Sequence, residues 1–202
     1  MIKHPVKMSV CALTLLIVSC GSRARRPLYY ALDIPPAPDR SLSDPRFPGT
    51  VAVCRFETPP YLRQGRIVYR ESPEEIGFYE YHRWAAEPAE SVTTAMIASL
   101  RSSGQFTFVK RCDGHQQDYL LVGRIERLEE IDYDGPVRVK AQITAELVNV
   151  RTGSTEWTDD APTTSNVENR DLDSVVRAMN RAVQGSIDQL VASLDQRFSA
   201  GR

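Results

Sequence analysis

The 202-residue sequence has no run of about twenty apolar residues, the length that crosses the hydrocarbon of a bilayer. It is also poor in the residues that carry chemistry, with three histidines and four cysteines. No Gly-x-Ser-x-Gly, His-Glu-x-x-His or Cys-x-x-Cys occurs, and no glycine-rich phosphate loop or dinucleotide fingerprint. The carboxylate pairs Glu74-Glu75, Glu129-Glu130 and Asp159-Asp160 are adjacent along the chain. Neighbours on a strand point to opposite faces and cannot share a substrate, so these read as solvated acids in loops and on outer faces. An excess of one charge is missing as well. The 25 basic and 26 acidic side chains leave a net charge of -1, with no basic domain or tail to hold nucleic acid. The expectation is a non-catalytic chain that needs neither metal nor cofactor. His82, in an aromatic strand, and His115, in the polar loop Asp113-Gly114-His115-Gln116, are the histidines left for a hydrolase.

What is present begins at the N-terminus. Met1 to Lys7 is short and basic, and Met8 to Val18 carries no charge. That is the length of a signal-peptide core rather than of a membrane span. A plain secretory peptide ends in an Ala-x-Ala-like site; here the run closes on Ile17-Val18-Ser19-Cys20, which looks like a bacterial lipobox. A thiol is the side chain that accepts diacylglycerol as a thioether, and small Ser19 lets a signal peptidase approach the bond. The expectation is cleavage before Cys20, a diacylglyceryl group on its sulfur and an acyl chain such as palmitate on the freed amine. Two or three chains on one residue hold a protein at a membrane essentially permanently, each buried CH₂ being worth about 0.8 kcal/mol. Gly21 follows Cys20 where an inner-membrane retention signal resembles Asp, which favours the periplasmic face of the outer membrane. With Lys3 and Lys7 removed, the mature chain is net about -3. Arg23, Arg25 and Arg26 sit beside the anchor, as a solvated linker or as charges that meet anionic headgroups. Cys11 leaves with the signal, so Cys54 and Cys112 remain in an oxidising compartment. A bridge between them would close 58 residues and stabilise by roughly 4 kcal/mol on the loop-entropy account; two buried free thiols fit the sequence equally well.

Residues 1–19 thus read as signal peptide, 20–26 as a lipidated tether and 27–198 as one domain. Strands are expected at Leu28–Leu32, Val51–Phe56, Gly65–Arg70, Ile76–Trp84, Phe106–Lys110 and Tyr119–Tyr133, the last with a phase change that implies a bulge. Val137 to Leu147 alternates apolar and polar for eleven residues, a half-buried strand of an antiparallel sheet. A strand near Thr155–Trp157 is followed by a polar loop, Thr158 to Asn169. Pro88 opens a helix that Gly104 stops, and Asp171 caps a second from Leu172 to Leu194 with a continuous apolar stripe. The fold class is α+β, a mostly antiparallel sheet with two helices on one face. Between residues 60 and 84, Tyr61, Leu62, Ile67, Tyr69, Phe78, Tyr81 and Trp84 gather aromatic and apolar mass that suits a partner-binding surface or the domain's own core.

Several features in order carry a family resemblance. They are Tyr29-Tyr30-x-Leu32 after the lipid cysteine, the strand with Val51 and Val53, Pro60-Tyr61-Leu62 with Ile67-Val68-Tyr69-Arg70, and Tyr81-x-x-Trp84-Ala85-x-x-Pro88. On these the chain from Tyr29 to Leu194 resembles the ABC-type transport auxiliary lipoproteins, the PqiC-like family. The extra Ala86 before Glu87 departs from the family's usual entry into the helix. The resemblance implies a fold similar to the small α/β domain at the start of TolB-like proteins. It implies an accessory lipoprotein that docks an MCE-domain protein and its inner-membrane permease and ATPase, as a ring of copies or singly, in lipid transport and envelope integrity. A lipoprotein that assists outer-membrane barrel or lipopolysaccharide assembly, and a lipid-tethered periplasmic hydrolase, are the rival readings.

Overall fold

The computed structural model describes residues 25–35 and 47–199. The signal peptide, Cys20, Arg23 and most of the proline-rich segment expected from Ile34 to Pro48 lie outside the described residues.

Eight strands form one sheet. They are β1 (Leu28–Tyr30), β2 (Phe47–Val53), β3 (Arg66–Arg70), β4 (Gly77–Trp84), β5 (Phe106–Arg111), β6 (Tyr119–Ile131), β7 (Arg138–Asn149) and β8 (Thr155–Asn166). Helix α1 (Pro88–Ser103) lies between β4 and β5, and α2 (Leu172–Ser199) follows β8. One path through the sheet runs β1-β4-β3-β6-β2-β5, while β7 lies on the other side of β6 and β8 beyond it. The sheet is mostly antiparallel along its long ladders, β6 with β7 and β7 with β8. The shorter ladders of β2 with β5 and β6, β3 with β6 and β1 with β4 are parallel.

β6 organises this arrangement. One edge pairs with β7 from Tyr119 to Ile131. Its other edge is shared: β2 takes Tyr119 to Leu121, and β3 takes Glu130 and Ile131. The expected phase change in β6 is a register shift between Ile125 and Arg127, which puts Leu121 and Ile125 on the same face as Leu128. The alternation in β7 buries Val139, Ala141, Ile143, Ala145 and Leu147 on that face. There α2 covers β6, β7 and β8, α1 covers β2 and β5, and the helices touch each other.

The helix ends follow from the expected residues. Pro88 stands at the start of α1, where its missing N–H costs nothing, and Gly104 takes a left-handed φ of 65° to end it. The Ser174 N–H donates to Asp171 Oδ1 at 2.8 Å, which caps α2. The helix runs 28 residues to Ser199, beyond the apolar stripe that ends at Leu194, with Gln196 and Arg197 as good helix formers and no Gly or Pro to stop it there.

One expected element is corrected. Thr158 to Asn166 is not a loop; it continues β8 as a strand paired with β7. Only Trp157 and Ala161 are buried apolar residues there, and the strand is knitted to α2 by polar groups. Trp157 Nε1 donates to Ser193 Oγ at 3.2 Å, Ser186 Oγ donates to the Ala161 carbonyl at 2.9 Å, and Thr163 Oγ1 meets Ser186 Oγ at 2.8 Å. Pro162 is tolerated because β8 is an edge strand.

Gly123 in β6 is fixed by a close approach. A Cβ there would lie 2.3 Å from the ring of Phe56, which is itself buried. Gly123→Ala forces that ring to move within a packed core, and overpacking of this kind typically costs about 1–3 kcal/mol. The urea midpoint should fall accordingly; an unchanged midpoint contradicts the placement of Phe56.

Candidate functional site

The bulge in β6 has a second consequence. After it, Arg127, Glu129 and Ile131 alternate with Leu128 and Glu130, and Leu128 through Ile131 are all buried. Glu129 and Glu130 are therefore not solvated acids on an outer face, as the sequence suggested. They are 0% and 5% exposed, on opposite faces of a strand that is covered on both.

Each carboxylate has its own partners. Glu129 Oε2 lies 2.9 Å from Arg70 Nε, and Glu129 Oε1 lies 3.9 Å from Arg127 Nη1. Arg70 and Glu129 thus form a buried ion pair, with Arg127 farther off. Tyr61 sits beside this group; burial, then the Glu129 charge, push its hydroxyl above the usual tyrosine range. The Tyr61 hydroxyl donates to the Glu126 carbonyl at 3.2 Å. On the other face, Tyr79 Oη donates to Glu130 Oε2 at 2.7 Å. Burial raises the Glu130 carboxyl above its ordinary value, aided by Asp132 and opposed by the Tyr79 bond and Arg170. Burial and the same bond raise Tyr79 as well. The ring of Tyr79 packs edge-on to Tyr69 and to His82, and His82 Nδ1 meets Tyr30 Oη at 3.1 Å.

The seven residues expected to form a contact surface divide. Leu62, Ile67 and Trp84 are 1%, 0% and 5% exposed and belong to the core, because each sits where strand or turn geometry turns it inward beneath the helices and strands. A charged residue at 62 would be buried unpaired and would unfold the domain rather than spare it. Tyr61, Tyr69, Phe78 and Tyr81 are partly exposed and remain available to a partner. The guanidinium of Arg25 lies 5.8 Å from the centre of the Tyr81 ring.

The remaining candidates are placed apart. His115 is exposed, its N–H donating to Asp113 Oδ1 at 3.0 Å, in a loop away from His82. Among the described residues no three His, Cys, Asp or Glu side chains converge as metal ligands. Cys54 and Cys112 are joined as a disulfide, with Cα atoms 4.7 Å apart. Their strand ends are already tied by the Cys112 N–H to Val53 carbonyl bond at 2.9 Å. No helix among the described residues is long and apolar enough to cross a membrane.

What this arrangement resembles is decided by comparison. The family model described as "ABC-type transport auxiliary lipoprotein component" matches residues 30–191. The chain belongs to the ABC-type transport auxiliary lipoprotein family. Solved structures agree on the fold of these auxiliary lipoproteins. Protein XCC0632 from Xanthomonas campestris, a DUF330 protein, superposes with a TM-score of 0.72 at 17% identity, over 84% of this chain and 98% of that one. The hypothetical protein CT253 from Chlamydia trachomatis gives 0.53 at 11% identity, over 76% and 99%. Among curated proteins no sequence matches. The acids that the sequence placed on outer faces are buried at the end of β6. A signal for them existed in the parity change of β6, which puts Glu130 in phase with buried Leu128.

The raised Glu130 pKa sets a pH dependence with a definite sign. The fold favours the protonated acid, so its contribution is fully present below the ordinary value of 4.5 and is lost as pH rises through the raised one. Glu130→Gln mimics the neutral acid and does not titrate. Urea midpoints of the variant and the parent should converge at pH 4 and separate in favour of the variant by pH 8. A gap that stays constant between those pH values contradicts the burial of this carboxylate.

Proposed function

We propose that the protein is a non-catalytic accessory of an MCE and ABC-type lipid transport system, held by lipid on Cys20 at the periplasmic face of the outer membrane. Membership of the auxiliary lipoprotein family across residues 30–191 carries this reading. The lipobox-like Ile17-Val18-Ser19-Cys20 supports the anchor, and Gly21 after it supports the outer membrane. In this reading residues 1–19 are removed, residues 20–26 tether the lipidated end, and the domain grips the MCE protein, whose permease and ATPase supply any energy used. The lipid is covalent on Cys20, and the protein carries no other cofactor. The work of transport and the support of envelope integrity then belong to the assembly, with this chain as its outer-membrane dock, alone or as a ring of copies.

The partly exposed aromatics Tyr61, Tyr69, Phe78 and Tyr81 are the contact residues under this proposal, since rings with a polar handle suit a surface that is wet when free and buried when bound. Purification of the lipidated protein from membranes in mild detergent should bring down an MCE-domain protein, and cells fed labelled palmitate should label the parent but not Cys20→Ser. Recovery of an outer-membrane barrel in place of the MCE protein would transfer the chain to envelope assembly. An unlabelled parent would remove the anchor.

A further inference from the structure

The β1 side of the sheet carries two arginines, Arg66 and Arg83, that form no ion pair among the described residues. Arg66 of β3 and Arg83 of β4 are Cα partners in an antiparallel ladder. The neighbouring pair carries the backbone bond, from the Trp84 N–H to the Gly65 carbonyl at 2.8 Å. Arg66 and Arg83 therefore occupy the narrow, non-hydrogen-bonded position, where Cα atoms come within about 4.5 Å. Like charges directly opposite each other in a ladder are destabilising. Among the described residues neither arginine forms an ion pair. A local rule is broken here with no compensating ion pair among the described residues, which is how functional positions stand out from structural ones.

The row continues outward. Tyr29 is the partner of Arg83 in the β1–β4 ladder and is 63% exposed. Leu28 beside it is 55% exposed. Arg25 lies over Tyr81, two positions before Arg83, and Arg26 is exposed next to it. The acid of β4, Glu80, accepts a hydrogen bond from Tyr81. Four arginines, two tyrosines and a leucine thus lie along one side of the sheet, with Glu80 on β4 and Asp173 near Tyr30 as neighbouring acids among the described residues.

We infer that this edge docks on an anionic lipid bilayer. The arginines take headgroup phosphates, while Tyr29 and Leu28 rest at the interface between headgroups and acyl chains. The inference rests on the proposed lipid at Cys20. That residue precedes Arg25 by five positions, a span of at most about 18 Å, so the anchor holds the β1 edge within reach of the headgroups. Docked this way, the opposite edge of the sheet at β8, reached through β4, β3, β6 and β7, stands about five strand spacings, roughly 24 Å, from the bilayer, open to a protein partner.

The test uses the chain from Gly21 onward, made without lipid. Among the described residues the core runs from Tyr30 to Leu194, and this chain carries that whole span. Co-sedimentation with vesicles of phosphatidylcholine containing phosphatidylglycerol should show binding that falls with salt, and vesicles of phosphatidylcholine alone should bind far less. The double variant R66Q/R83Q should lose about tenfold or more in affinity and melt no lower than the parent, since it relieves a repulsion. The charge-matched control K110Q/R151Q, away from this edge, should bind as the parent does. Equal binding by R66Q/R83Q, or an equal loss in the control, overturns the inference. So does an R66Q/R83Q chain that still binds vesicles but no longer recovers its protein partner from membranes, because the occupant is then a protein. Palmitate labelling of full-length R66Q/R83Q separates the two claims: a labelled variant whose parent domain ignores vesicles removes only the docking edge, whereas vesicle binding by an unlabelled parent removes only the anchor.

Discussion

The fold depends on one strand satisfying three neighbours at once. β6 donates and accepts along its whole length to β7, and its other edge is divided between β2 near Tyr119 and β3 near Ile131. The two halves of the domain, β2 with β5 and α1 on one side and β3 with β4 and β1 on the other, meet only through it in the sheet. The strand can serve both because it is bulged. The shift between Ile125 and Arg127 bends the chain and resets which residues face α2. Without that reset Leu128 would leave the core and Glu130 would turn away from Tyr79.

Burial of two consecutive acids is the energetic consequence of that geometry. A buried ion pair such as Glu129 with Arg70 gains little net stability, because desolvation of both charges offsets their attraction; removing one partner, by contrast, leaves an uncompensated charge worth about 3–5 kcal/mol of instability. Such a pair specifies register more than it adds stability. Arg70 is held to β6 by Glu129, and Tyr79 of β4 is held by Glu130, so both acids fasten β3 and β4 to the end of β6. These are the strands that carry Tyr69, Phe78 and Tyr81, and whatever those rings contact is presented on a platform fixed by the acids.

How much of this was legible in the sequence differs from element to element. The alternation of Val137 to Leu147, Pro88 and Gly104 around α1, and Asp171 before α2 each state a local physical requirement, and each is met. The bulge in β6 was legible because an apolar phase cannot change sides in an unbroken strand. β8 was legible only at its start, Thr155–Trp157, since beyond it the inward row is Ala161 and Thr163, bonded to Ser186 of α2, and leaves almost no hydrophobic alternation to read. The burial of Glu129 and Glu130 was signalled only by the parity change of β6, and that of Leu62, Ile67 and Trp84 stood beside the reading of a contact surface. Such burial depends on which strands lie on either side, and the split edge of β6 is a long-range fact that no local pattern records.

Function enters through this division of labour. The family supplies the role of a transport auxiliary lipoprotein, and the fold supplies a sheet whose two sets of strands on one edge of β6 are joined through that strand. The measurement that addresses this joint most directly is native-state hydrogen exchange along β6. If β6 binds both halves into one cooperative unit, the hydrogen-bonded amides from Leu121 through Ile131, on both sides of the bulge, exchange only by global unfolding and share one opening free energy. Exchange of the amides from Leu128 to Ile131 at a markedly lower free energy than those before the bulge would show two halves that open separately, and would contradict the account.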